Sequence, residues 1–126
     1  MPEPTPTGAA VEVCSSLMAD LPATVLDHKQ RAVTPGRFAA VWGDPAISLR
    51  CGVPRPPGLT AASECFEVNG VGWYAEQGSS GYLFTTIGRR AFVEVGVPSH
   101  YAPEANALVD LAAAVSAHDP VITPCR

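Results

Sequence analysis

The chain is short of charge, and the charge it has is one-sided. Charged residues make up 16% of 126 positions, the formal net charge is -4, and Lys29 is the sole lysine. A protein that neutralises nucleic-acid phosphates carries a basic excess, so this balance argues against DNA or RNA as a partner. No run approaches the ~18 apolar residues that cross a bilayer, and no basic segment precedes an apolar signal core. The four cysteines, at 14, 51, 65 and 125, include no C-x-x-C. That spacing fits neither a zinc knuckle nor a thioredoxin-type dithiol. There is no G-x-S-x-G elbow to expose a serine nucleophile; Gly78-Ser79-Ser80-Gly81 reads as a hairpin loop. Nor is there a glycine-rich phosphate loop, since Gly36, Gly43, Gly52 and Gly58 each mark a turn or a strand end. His28, His100 and His118 are scattered without metal-ligand spacing. No catalytic residue, metal or cofactor is assigned.

What is present is a hydrophobic share of 47%, enough for an ordered domain with its own core. Residues 1–10 read as a Pro/Thr-rich linker and 11–126 as a single domain. Because an exposed linker joins one thing to another, an export or anchoring segment is expected before it in the natural protein, with Met1 standing in its place. An even cysteine count at long, irregular spacing reads as two disulfides and an oxidising, extracytoplasmic compartment.

Along the chain, Val11, Cys14, Leu17, Met18 and Leu21 recur at helical spacing, and Pro22 ends that helix. Thr24 to Thr34 reads as one extended segment closed by Thr34-Pro35-Gly36. After the turn Gly43-Asp44-Pro45, the residues Ile47, Leu49, Cys51 and Val53 alternate with Ser48, Arg50 and Gly52, the period of a half-buried strand. Cys51 and Cys14 therefore both face the core, which makes Cys14–Cys51 the expected bridge among three possible pairings and leaves Cys65 to Cys125. Asn69-Gly70 between Cys65–Val68 and Val71–Tyr74 is a type I′ hairpin signal. Tyr82–Ile87 and Ala91–Val97 supply further strands. Pro103 opens a last helix, with Leu108, Leu111, Ala112 and Val115 as its buried stripe, fading before Asp119-Pro120. The sum is an α+β fold: an antiparallel sheet of about five or six strands, with an N-terminal and a C-terminal helix packed on one face and disulfides stapling it.

Trp42-Gly43-Asp44-Pro45, Leu49-Arg50-Cys51-Gly52-Val53-Pro54 and Val68-Asn69-Gly70-Val71-Gly72-Trp73 together resemble an actinobacterial family, the domain of unknown function numbered 3515. The likeness runs from the Cys14 helix through Arg89 and Val93-Glu94-Val95 to the final helix. It implies exported proteins or lipoproteins held on the outer face of the cytoplasmic membrane, and it brings no activity with it.

Candidate binding residues are Arg50, Arg55, Asp44, Trp42 and Arg89. Strand alternation puts Arg50 opposite Cys51, where Glu67 and Glu94 could pair with it in a cross-strand ladder. Alternatively Arg50, Arg55 and Arg89 form an anion-recognising patch, framed by Trp42 and Trp73. Asp44 is the first carboxylate to consider for glycoside hydrolysis, against its ordinary role in a turn. The leading expectation is a non-catalytic, membrane-tethered interaction module of the cell envelope, with an envelope protein or precursor as partner. A small anionic-ligand binder and an envelope-polymer hydrolase are the alternatives.

Overall fold

The structure, a computed structural model, describes residues 3–32 and 36–124. It is an α+β fold with two helices and an eight-stranded antiparallel sheet. The strands are β1 (Thr24–Val25), β2 (His28–Arg31), β3 (Ala39–Trp42), β4 (Ile47–Cys51), β5 (Phe66–Val68), β6 (Val71–Gly78), β7 (Gly81–Thr86) and β8 (Val93–Pro98). Their order across the sheet is β1-β2-β3-β4-β8-β7-β6-β5. Two meanders, β1 to β4 and β5 to β8, are thus joined where their last strands pair.

Eight strands stand where about five or six were expected. The segment from Thr24 divides at Leu26 and Asp27, whose φ values of 50° and 66° make a tight reversal. That reversal carries no Asn-Gly signal. It is held instead from the far end of the chain, by the Leu26 N–H donating 2.9 Å to Asp110 Oδ2. The apolar run after Phe38 forms a further strand, β3, in register with β4 from Ala39↔Arg50 to Trp42↔Ile47. The proposed closing turn at Thr34-Pro35 lies outside the described residues.

The Asn69-Gly70 hairpin forms as its sequence requires, with φ of 49° and 85°, and Gly78 pairs with Gly81 across the next one. Inward positions of β4 and β8, Ile47, Leu49, Cys51, Val93, Val95 and Val97, are almost entirely buried. Helix α1 (Ala9–Ala19) adds Val13, Cys14 and Leu17 to the same core, and α2 (Asn106–His118) adds its expected stripe and Ala107 and Ala114. Pro103 sits before α2 rather than opening it. The turn between them is made by i to i+3 bonds from Asn106, Ala107 and Leu108 N–H groups back to Pro103, Glu104 and Ala105.

Cys14 and Cys51 form the expected disulfide, with Cα atoms 5.5 Å apart and neither residue exposed. Cys65 is also disulfide-bonded; Cys125, its expected partner, lies outside the described residues.

The segment expected to be a linker is seated on the domain from Glu3 onward, and α1 begins at Ala9, two residues before the expected domain start at Val11. Pro4 is buried. Glu3 Oε1 accepts the Phe38 N–H at 2.7 Å. Pro6 lies over Gly52, where a Cβ would fall 2.5 Å from the proline ring. Contacts of this kind dock a proline-rich segment whose rings already restrict its backbone, so it loses little entropy on seating.

Candidate functional site

Pairing β4 with β8 sets Arg50 directly opposite Glu94. The Arg50 Nε–H donates 2.8 Å to Glu94 Oε1, and Nη2 donates to the same oxygen. The side chains are 23% and 15% exposed, so the pair is largely withdrawn from water. This is the cross-strand ladder reading. Glu67 takes no part, because β5 is the far edge of the sheet and three strands separate it from β4.

Trp42 does not frame a surface patch. It is fully buried, with its indole Nε1–H donating 3.0 Å to the Pro22 carbonyl, and Trp73 is equally buried. An indole is mostly apolar surface, and Trp42 buries it with its one donor satisfied, whereas the Trp73 Nε1–H has no partner among the described residues. Asp44 is exposed in the β3–β4 turn. That turn is tied down by its neighbours: Arg31 Nη1 donates 2.8 Å to the Gly43 carbonyl and Tyr101 Oη donates 2.6 Å to the Pro45 carbonyl. A Cβ at Gly43, where φ is 73°, would press on the Tyr101 hydroxyl and the His28 side chain. His28 and His100 each meet the Tyr101 ring edge-on, while His118 Nε2 lies 2.8 Å from Asp20 Oδ2 at the helix ends. No cluster of three metal-ligating side chains exists among the described residues.

The expected three-arginine patch is divided. Arg50 lines a cleft beneath the N-terminal segment, with Gly52, Arg90 and Phe92. Arg55 and Arg89 line a different cleft of about 540 Å³, between the loop that follows β4, the β7–β8 turn and the C-terminal segment. Arg55 is exposed and donates through Nη2 to the Leu59 carbonyl at 3.1 Å. Arg89 is 9% exposed and acts as a clamp, donating from Nη1 to the Asp119 carbonyl at 2.6 Å and from Nη2 to the Gly70 carbonyl at 3.3 Å.

The sequence reading missed this clamp. The C-terminal segment pairs with residues 88–90: Ile122 and Thr123 N–H groups donate to the Gly88 carbonyl, and Arg90 N–H donates to Pro120. Gly88 has φ 74°, and a Cβ there would collide with the Thr123 carbonyl. Asp119 closes the arrangement. Its Oδ1 accepts the Ala91 N–H at 2.9 Å, while Oδ2 has no partner among the described residues. Burial pushes its carboxyl up to about 6, against the lowering effects of the Ala91 N–H and of Arg89 and Arg90. The only signals in the sequence were Gly88-Arg89 and Asp119-Pro120, each of which reads locally as a turn.

With the WGDP turn, the LRCGVP strand and the buried disulfide in place, the family can be stated. A family model described as "Protein of unknown function (DUF3515)" matches residues 1–122. The chain belongs to the DUF3515 family. No curated relative and no solved structure matches it. For this DUF3515 chain the motif residues are mainly architectural: Trp42 and Cys51 are core, Arg50 is paired, and Asp44 shapes a turn.

Proposed function

We propose that the chain is a non-catalytic, extracytoplasmic, membrane-tethered interaction module of the cell envelope. The observation that carries the reading is the Cys14–Cys51 disulfide, wholly enclosed in the core and joining α1 to β4. Bridges of this kind persist in oxidising compartments and are rare where thiols are kept reduced. In this reading both helices cover one face of the sheet, and the outward row Ser48, Gly96 and Leu83, adjacent in register on β4, β8 and β7, offers the partner a contact surface. Gly96 keeps that row low and Leu83 is 36% exposed within it.

The test uses protein taken from its native cells. Thiols are alkylated before any reductant is added, and a photo-crosslinking side chain is placed at position 48, in the same row as Leu83. Blocked Cys14 and Cys51, recovery with the membrane fraction, and a discrete cross-linked envelope partner that Leu83→Arg abolishes are the expected results. Reactive thiols at both positions, or recovery with the cytoplasm, overturn the compartment; unaltered capture by the Leu83→Arg protein overturns the surface.

A further inference from the structure

The cleft between the β4–β5 loop and the C-terminal segment has a chemistry unlike the rest of the molecule. The chain holds 12 acidic residues against 8 arginines and lysines. Yet the described lining of this cleft contains two arginines, Arg55 and Arg89, and no carboxylate. Their bonded partners, the carbonyls of Leu59, Asp119 and Gly70, are neutral, and neither guanidinium makes an ion pair with a described residue. A guanidinium has five N–H donors. Arg55 spends one of them on these bonds, and Arg89 spends two. The Arg55 charge is therefore positioned by a backbone carbonyl rather than cancelled, while the Arg89 charge is held by two carbonyls beside the Asp119 carboxyl.

The polar wall points the same way. Ser63 Oγ accepts the Thr60 N–H at 2.9 Å and Thr60 Oγ1 accepts the Ala62 N–H at 3.2 Å. Both hydroxyls are thus fixed in place as acceptors, and they lie 3.5 Å from each other, so one donates to its neighbour and the other keeps an O–H hydrogen to offer to an acceptor entering the cleft. The rest is apolar: Leu59 is buried at its base, Ile87 and Phe92 are half-buried, and Ile122 is 63% exposed at the rim. Its volume of about 540 Å³ lies within the range of small-molecule sites, which pair an apolar wall with a few convergent polar groups.

We propose that this cleft binds a small amphipathic anion, a carboxylate or phosphate monoester whose head is held by Arg55 over the Arg89 guanidinium and whose short apolar tail lies against Phe92, Ile87 and Ile122. Arg55 is the selective element, since it is exposed, planar and forked for a carboxylate or phosphate. Arg89 fixes the wall and supplies the second charge. The site is independent of the docking surface at Leu83, so the failure of one leaves the other standing.

The experiment is an amide NMR titration of the full chain at low salt. The probes are hexyl phosphate, hexanoate, inorganic phosphate and 1-hexanol, with phosphatidate vesicles as a separate arm. Saturable shifts confined to residues 55–63, 87–92 and 120–124 are expected with hexyl phosphate or hexanoate, with hexanol and inorganic phosphate each at least about tenfold weaker. Losing a charge-assisted hydrogen bond makes Arg55→Gln at least about tenfold weaker as well. Glutamine retains a donor for the Leu59 carbonyl, so the melting temperature is expected to hold, and Arg55→Lys recovers part of the affinity. Binding of the soluble probes assigns a free metabolite or a single extracted lipid. Four results overturn the site: vesicle binding alone, shifts centred on Arg50 and Arg90, equal affinity for hexanol, or no saturation by about 10 mM.

Discussion

Arg50 illustrates how one side chain settles between structure and recognition. Its guanidinium reaches Glu94 with two donors on one oxygen, in a setting only 23% and 15% exposed. Removing water from both groups costs several kcal/mol, and their attraction offsets that cost only while the pair is intact. Truncating one partner strands the other. Arg50→Ala is accordingly expected to lower the unfolding free energy by about 1–3 kcal/mol, and Glu94→Ala by a similar amount. The double variant should lose clearly less than the sum, because the two changes remove the same interaction. Urea titrations of the three proteins decide it; an unchanged midpoint for Arg50→Ala would return the residue to the candidate recognition groups. At this scale the sequence was informative about faces and much less so about partners. Alternation put Arg50 opposite Cys51 correctly, and that parity alone made Glu94 a candidate. It could not distinguish Glu94 from Glu67, because which strand lies beside β4 is set by the return of β8 across the sheet.

At the scale of elements, the bridge between α1 and β4 is the strongest single constraint. Cys14 and Cys51 are separated by 37 positions. In the chain-entropy model a loop of that length adds on the order of 4 kcal/mol to stability by restricting the unfolded chain. The double variant Cys14→Ala/Cys51→Ala, which leaves the second bridge intact, is expected to lose most of that amount. It should retain native-like far-UV circular dichroism at low temperature, since the surrounding core is built independently from β4, β8 and α2. Equilibrium unfolding with matched m-values tests this; a loss below about 1 kcal/mol would mean that the unfolded chain is already restrained near this contact. The bridge was legible because both of its cysteines declared their faces, one by helical spacing and one by alternation. The Asn69-Gly70 hairpin was legible for a similarly local reason, as both central residues take positive φ. The β1–β2 reversal was not. Leu26 and Asp27 have no glycine or asparagine to announce positive φ, and the bond that stabilises the turn comes from Asp110, 84 positions away.

On the scale of the whole molecule, the two ends of the chain are fastened to the sheet by different means. Glu3 and Pro6 seat the N-terminal segment near Phe38 and Gly52, whereas the C-terminal segment is bonded to residues 88–90 and locked through Asp119. The C-terminal lock contains a buried titratable group, Asp119. Asp119 follows His118, whose imidazole faces Asp20, and it is flanked by Arg89 and Arg90, both of which favour its charged form. Burial outweighs them and raises its carboxyl from 3.8 to about 6. The native state therefore binds this proton more tightly than the unfolded chain does. Stability from this group increases as pH falls from about 7 towards 4, and it is lost as pH rises through the folded value near 6. Other titratable groups contribute to the total, so the informative quantity is a difference between proteins. Asp119→Asn keeps an acceptor for the Ala91 N–H and removes the charge. It is expected to be more stable than the parent above pH 6.5, with the gap closing steadily and vanishing near pH 4. Thermal unfolding of both proteins at half-unit steps measures it. Parallel curves across that range would show that Asp119 is ionised without penalty.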